Sequence, residues 1–316
     1  MTLTIGVDVG GTKVAAGLVD PDGHMIAETK RATPASDADA AAAAIADVIE
    51  ELRAGHVVEA VGIGAAGFVG SDRATMLFAA NLPGWRNESL RDEISGRVGL
   101  PVVVENDANA AAWAEYRFGA GRGESHLVCV TVGTGIGGGI VIDGRLYRGR
   151  FGIGAEVGHF RVEPNGRPCG CGQRGCWEQY ASGNALVREA RARAREDPDE
   201  ARILLHLSDD GAPETIMGPH VTRAAREGDP VAVASFEAVG RWLGQGLADI
   251  AEVIDPGCFI IGGGVVAAGE LLLGPARVQY EKALSGRQYR PLATVRAAAL
   301  GPEAGIVGAA DLARYR

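Results

Sequence analysis

The chain has 316 residues, 47% of them hydrophobic and 22% charged, with a net charge of −9. That profile fits a globular protein with room for two cores, and the acidic balance argues against a general basic face for nucleic acid. No apolar run reaches the ~18 residues of a membrane span, no basic leader is expected before Leu3, and five cysteines, three of them clustered, read as a metal site in a reducing, cytoplasmic setting rather than a disulfide framework.

The chain opens on an apolar strand, Ile5-Gly6-Val7-Asp8-Val9, which turns at Gly10-Gly11-Thr12-Lys13 into a second strand ending at Val19-Asp20. An Ala-rich helix is predicted from about Asp37 to Arg53. A strand follows at Val57–Ala65 and another at Pro101–Glu105. A helix then begins after Asn106 or Asp107. The opening pattern returns at 128–144: apolar strand, glycine turn Gly133-Thr134-Gly135, apolar strand, Asp-Gly turn. Cys129 in this run and Cys258 further on read as small buried hydrophobes. Segment 195–220 reads as a short helix between loops. A long helix from Pro230 to about Ile254 leads to the strand Cys258–Ile261 and the turn Gly262-Gly263-Gly264, and a short helix over Gly305–Ala313 ends the chain. Strands alternating with helices predict α/β layers, and two matched hairpins predict a duplicated α/β unit.

Two stretches, Gly62–Gly67 and Gly133–Gly138, fit the G-x-G-x-x-G spacing of dinucleotide sites. That fingerprint requires a following helix. The second leads into Ile140-Val141-Ile142, a strand, and the first into a turn at Phe68–Ser71, so neither qualifies. Glycine tips instead expose backbone N–H groups that can cradle an anion. Thr12 and Thr134 add hydroxyls there, Lys13 adds a charge, and Asp8 is placed to hold Mg²⁺ beside a triphosphate. The turn at Gly263-Gly264 can let a flat base approach the backbone. The alternative is that these are ordinary tight turns, a reading weakened by the tips coming as a matched pair.

Glu105-Asn106-Asp107-Ala108-Asn109 ends one strand and opens a helix. Either Asn106 or Asp107 can be an N-cap. Four polar residues at the C-terminal end of a strand also mark where α/β proteins hold ligands, and an Asp there can accept a proton from a substrate hydroxyl. Both readings stand on the residues alone. Further on, Glu156-Val157-Gly158-His159 and Cys169-Gly170-Cys171-Gly172-Gln173-Arg174-Gly175-Cys176-Trp177-Glu178 bring three cysteines and a histidine within eighteen residues. Thiolate and imidazole are the ligands Zn²⁺ prefers, four of them close a tetrahedral site, and the bracketing acids Glu156 and Glu178 would be held rigidly by it.

Taken in order, Asp8-x-Gly10-Gly11-Thr12-Lys13, Glu105-Asn106-Asp107-Ala108-Asn109, Gly133-Thr134-Gly135-x-Gly137-Gly138, Glu156-x-Gly158-His159 and the Cys169–Glu178 motif resemble the ROK family of sugar kinases, and most nearly its bacterial glucokinases. The likeness runs from residue 5 to the Gly262–Gly264 turn and arguably to the C-terminal helix. The cysteine motif with Glu-Val-Gly-His is specific to the family, whereas the glycine motifs are shared with the wider actin-like ATPases. The resemblance implies a two-lobed, ribonuclease H-like fold of the actin-like ATPase type. Its small lobe would be 1–108 with a C-terminal helix at about 303–316 packing back, and its large lobe 109–302 would carry the zinc loop. It implies that ATP with Mg²⁺ lies against Asp8, Gly10, Gly11, Thr12, Lys13, Thr134, Gly135, Gly263 and Gly264, and that Asp107 is the general base toward the 6-hydroxyl. It implies that Asn106, Glu156, His159 and Glu178 bind sugar hydroxyls, with Gly67 and Asn81 close by. His159, Cys169, Cys171 and Cys176 would be ligands of a structural zinc, with the second histidine nitrogen toward sugar. The sequence departs from the family at Gly64-Ala65-Ala66-Gly67, where Pro is frequent. The few residues before the first strand leave no room for the helix-turn-helix of ROK repressors.

The expected function is ATP-dependent phosphorylation of glucose at the 6-hydroxyl, the first step of glycolytic glucose use, by a homo-oligomer. The rivals are another hexose (fructose, mannose or N-acetylmannosamine), polyphosphate as the donor, or a sugar sensor without turnover.

Overall fold

The computed structural model describes residues 2–79 and 85–315, so Asn81 lies outside the described residues. Strands β1 (Leu3–Val9) and β2 (Lys13–Val19) form the expected hairpin, with Val9 opposite Val14, and β3 (Met25–Ala32) extends it antiparallel. Helix α1 (Ala38–Arg53) is capped by Asp37, whose carboxylate accepts the Ala40 N–H, and it buries Ile45, Val48, Ile49 and Leu52. Strand β4 (Val58–Ala65) returns parallel to β1. A small sheet of β5 (Phe68–Val69), β6 (Thr75–Phe78) and β7 (Glu88–Ser89) precedes helix α2 (Leu90–Val98). Strand β8 (Val102–Asn106) then pairs with β4 and delivers the chain into helix α3 (Asp107–Arg117).

The pattern repeats in β9 (Leu127–Val132), β10 (Ile136–Ile142) and β11 (Arg145–Tyr147). The turn Val157–His159 and the cysteine loop lead to helices α4 (Glu178–Ala181), α5 (Gly183–Glu196), α6 (Arg202–Leu207), α7 (Gly218–Arg226) and α8 (Pro230–Ile254). Strand β12 (Cys258–Gly262), helix α9 (Glu270–Ala283), strand β13 (Thr294–Ala297) and helix α10 (Ala304–Leu312) finish the chain. The first sheet has the order β3-β2-β1-β4-β8 and the second β11-β10-β9-β12-β13. Both therefore run third, second, first, fourth, fifth strand, the duplication expected from the two hairpins. Both glycine stretches lead into strands, β5 and β10, so the dinucleotide reading is excluded. Cys129 and Cys258 are buried in β9 and β12 as expected.

The chain divides into two compact units. One comprises Met1–Cys129, Gly138–Ala155 and Ala299–Arg316, and the other Val130–Gly137 and Glu156–Ala298. Residue 108 falls within the first unit, in α3. There β1, β4 and β8 are near-continuous apolar runs, as parallel strands covered on both faces must be. Helix α10 lies tightly on them because glycines remove the obstacle: a Cβ on Gly6 would sit on the Ile306 carbonyl, one on Gly62 on that of Ala309, and one on Gly308 on that of Ala110. In the second unit α8 and α9 approach closely at Gly240 and Gly244. Trp177, fully buried, stacks on Phe160 at 5.2 Å and donates its indole N–H to the Trp242 carbonyl at 2.7 Å, anchoring the end of the cysteine loop. Among the described residues no helix is long and apolar enough to cross a membrane.

Candidate active site

In the first unit the site grows from the β8–α3 junction. Asn106 is the N-cap: its Oδ1 accepts the Asn109 N–H at 3.0 Å, and its Nδ2 donates to the Gly67 carbonyl at 3.1 Å. Gly67 has φ +147°, and a Cβ there would strike the Phe78 carbonyl, so glycine is needed to bring its own carbonyl to Asn106. The two sequence readings are thus reconciled. Asn106 takes the cap, and Asp107 is left at the first helical position, half-buried, with Oδ1 accepting the Ala108 N–H at 2.9 Å. Burial pushes the Asp107 carboxyl above its ordinary range against the pull of these backbone donors. Glu105 and Asn109, two of the four polar residues there, turn inward and bond each other at 3.0 Å.

Asp8, near the end of β1, is pushed up to about 6, by burial first and by Asp107 second, with Lys13 opposing. Two carboxylates that repel in this way are a place where a divalent cation would be welcome, so the residues fit Mg²⁺. The tip beyond Asp8 is a real turn: the Gly10 N–H is spent on the Lys13 carbonyl at 3.0 Å, leaving Gly11 and an exposed Thr12 at the apex beside exposed Lys13.

In the second unit His159, Cys169, Cys171 and Cys176 place their ligand atoms within 4.8 Å of one another. The Cys171 and Cys176 sulfurs are 3.6 Å apart, and Cys169 Sγ is 3.7 Å from His159 Nδ1. Four ligands at the usual zinc bond lengths stand roughly 3.5–3.8 Å apart in a tetrahedron, and these two spacings match that, so the donor set fits Zn²⁺. The metal-facing nitrogen is Nδ1, which leaves Nε2 as the second donor. Glu178 touches this group directly: its Oε1 accepts from Cys169 Sγ at 2.9 Å and lies 3.9 Å from His159 Nδ1. Burial first, and that bond to Glu178, push the Cys169 thiol up to about 12, where a cation would be needed to draw out the thiolate. Glu178 also crowds the second glycine tip, since a Cβ on Gly135 would meet its Oε2 at 2.5 Å. Glu156 precedes His159 in the same turn and accepts the His159 N–H at its carbonyl, at 3.1 Å.

The second unit also holds a cavity of about 790 Å³, with Gly133, Thr134 and Gly264 on one side. Gly263, at φ +85°, cannot carry a Cβ without striking the Val132 carbonyl, so this turn is fixed as glycine by its neighbour. The opposite walls come from α5, through Asn184 and Val187, and from α7, through Pro219, Thr222, Arg223 and Arg226. Sequence reading missed all six. Neither helix carries a motif, and the only trace was a pair of basic residues spaced for one helical face. Arg226 is held by the Ala267 carbonyl at 2.6 Å, and Arg223 pairs with Glu227 at 2.9 Å.

Residues 4–316 match the ROK family. A glucokinase of Streptomyces coelicolor is 55% identical over 99% of this chain and 98% of its own length. A glucokinase of Thermotoga maritima is 41% identical over 99% of this chain and 97% of its own. Among solved structures, a ROK family glucokinase from Streptomyces griseus in complex with glucose and AMPPNP superposes with a TM-score of 0.90 at 57% identity, covering 99% of this chain and 100% of the other. The fold is that of the actin-like ATPases, as in these ROK sugar kinases. A match over nearly the full length, by the family as a whole and by relatives at 41–57% identity, places this chain in the ROK family.

Proposed function

We infer that the chain is a glucokinase, transferring the γ-phosphoryl group of ATP to the 6-hydroxyl of glucose. The observation that carries this reading is the Asp107 carboxylate: held at the start of α3, half-buried, raised in proton affinity and beside a second acid, Asp8. A base must be ionised yet eager for a proton, and burial supplies that eagerness. As the sugar O6 attacks the γ-phosphorus, its proton passes to Asp107, the bond to the β–γ bridging oxygen breaks, and ADP leaves with glucose 6-phosphate formed. Little covalent chemistry is asked of the protein, so most of its work is positioning and charge neutralisation.

The remaining roles follow the same reading. Asn106, Glu156, His159 through Nε2, and Glu178 bind sugar hydroxyls. Asp8 would hold Mg²⁺, which supplies neutralisation of the phosphate charge when bound. The glycine tips Gly10–Lys13 and Thr134-Gly135 serve the phosphates, and the cavity beside Gly263-Gly264 takes the nucleoside. That cavity, walled by Val187 and Pro219, supports a nucleotide donor over a bare polyphosphate chain, which has no apolar part to bury. The histidine–cysteine quartet would hold one Zn²⁺ in a structural role, because four protein ligands leave no open position for water. Thiolates of this kind persist in a reducing compartment, which supports a cytoplasmic place in glycolytic glucose use.

The test is a coupled ADP-release assay against a panel of hexoses, with ATP or polyphosphate as donor, on the wild type and Asp107→Asn. The expected outcome is turnover of glucose with ATP and a loss of about 10²–10⁴-fold in kcat in the variant, with glucose binding retained. Near-normal turnover by D107N, or none by the wild type, rejects the reading.

A further inference from the structure

A charge cluster built on the buried Glu105 lies at the β8–α3 junction beside Asp107. Glu105 ends β8 and is 2% exposed. Its Oε1 accepts the Asn106 N–H at 3.1 Å and the Asn109 amide at 3.0 Å. Its Oε2 accepts from Arg148 Nε at 2.5 Å, and Arg73 Nε stands 4.0 Å away, buried. Arg73 spends its other nitrogens on the Tyr315 and Leu312 carbonyls, at 2.7 and 3.1 Å. A buried ion pair is a poor device for stability alone, because an apolar replacement of the same size often does as well. What this one does is geometric. A single carboxylate holds one residue on each side of Asp107, the cap Asn106 just before it and the buried Asn109 two positions after it.

Arg148 is the first residue after β11 and opens the loop 148–155, which runs on along the chain into Glu156-Val157-Gly158-His159. The loop is pinned at its base, with the Gly154 N–H on the Arg148 carbonyl at 2.9 Å. Gly149 and Gly152 between them, and Ala155 just past Gly154, all have positive φ, and the segment has little regular structure of its own to fix its course. The Arg148 side chain is therefore its tie to the β8–α3 junction.

We propose that Glu105 and Arg148 are positioning residues for phosphoryl transfer. Their ion pair sets the placement of Asp107 and the take-off of the loop that leads to Glu156 and His159. This rests on the reading of Asp107 as the base. Neither residue is asked to touch substrate. Each acts through the backbone and side chains that it holds.

The experiment compares the full-length wild type with E105Q, R148M, R148K and the double variant E105Q/R148M, and uses D107N as the control. Rates are corrected for the folded fraction at the assay temperature. Glutamine keeps the shape of Glu105 but removes the charge that two guanidiniums face. The expected result is a fall in kcat of about 10- to 100-fold in E105Q and in R148M. KM for ATP should stay within about twofold of wild type, and R148K should recover part of the loss. The double variant should be no worse than the poorer single one, since each residue acts through the other. A merely stabilising pair would lower the melting temperature and leave kcat per folded molecule unchanged, and that outcome overturns the proposal, as do losses that multiply in the double variant. If E105Q does not fold, R148M and R148K carry the comparison, because the Arg148 side chain is already 24% exposed. If the wild type fails to phosphorylate glucose, or D107N does not slow it, the functional reading falls and this proposal with it. If both controls behave and the variants match wild type, only the positioning role falls.

Discussion

At the scale of single residues, Asn106 and Asp107 divide the start of α3 between them: Asn106 caps the helix, and Asp107 keeps its carboxylate in the first turn. Glu105-Asn106-Asp107 could not be resolved into cap and base from its letters, because Asn and Asp are both good caps. The hydrogen bond from the Asn109 N–H to Asn106 assigns the cap. What no spacing rule conveys is mutual electrostatics, and here Asp8 supplies a prediction. Its folded pKa, about 6, lies above the ordinary 3.8. A raised carboxylate favours the protonated form, so its contribution to stability is present below pH 4 and is lost as pH rises through 6. Above that the ionised Asp8 costs the ligand-free fold about 3 kcal/mol, from a shift of some two pH units to about 6. Asp8→Asn removes the charge while keeping the shape. The melting temperature of the ligand-free protein should therefore rise by a few degrees at pH 8 and stay unchanged at pH 4, while turnover with ATP falls. A melting temperature unaltered at both pH values would remove the electrostatic account of this pair. Asp107 carries the matching kinetic expectation: it must be ionised to act, and burial raises its pKa, so the acid limb of the rate profile should lie above the ordinary carboxylate range.

At the scale of elements, legibility followed periodicity. Helix Pro230–Ile254 was readable in its start and approximate length, because a Pro at its first turn follows the capping Asp229 and its apolar face is long. The edge strand β3, with its alternating exposure, and helices α5, α7 and α9 escaped notice; α9 even carries Pro275 inside it. The cysteine loop was legible in its chemistry and illegible in its course. It contains only the short turn Val157–His159 and isolated bridges between Arg161 and Cys176 and between Pro168 and Arg174. Gly172 and Gly175 sit at φ +89° and +79°. Turns and short bridges order such a segment locally but give it no helix or sheet to lean on, so the ion is expected to fix how its ligands stand to one another. Stripping the metal with a chelator should release about one zinc per chain, weaken glucose binding by roughly 10-fold or more, and leave far-UV circular dichroism nearly unchanged. ATP binding should be affected far less, because the α5 and α7 walls of the cavity stand on regular helices. Elemental analysis with titration calorimetry for both ligands checks this, and metal-free protein that binds glucose as tightly as before refutes it.

At the scale of the whole molecule, the duplicated hairpin announced two sheets of like topology, whereas the return of the C-terminal helix to the first unit came only from the family resemblance and not from any pattern in the letters themselves. The core of that unit is completed by α10, from the last residues of the chain. That information resides in pairs of glycines and carbonyls some 250 residues or more apart, such as Gly62 with Ala309 and Gly6 with Ile306, and a single sequence does not pair them. The chain ends are also tied: Arg314 donates to the Thr2 and Val19 carbonyls at 2.9 and 3.0 Å. A chain stopped after Gly301 tests how much depends on this. It would strip Ile306, Val307 and Leu312 from the first unit, and each buried side chain of that size contributes about 1.5–3 kcal/mol. Three of them approach the entire ~5–15 kcal/mol margin of a typical domain. The apolar faces of β1 and β4 around Gly6 and Gly62 would at the same time be opened to water. The shortened chain should therefore accumulate as insoluble protein, and any soluble fraction should lack a cooperative melt of the first unit. The point substitution Gly62→Val should do much the same, since its side chain meets backbone that cannot move aside. Recovery of a soluble, cooperatively melting protein from either would mean that α10 is an accessory of the first unit and not part of its core.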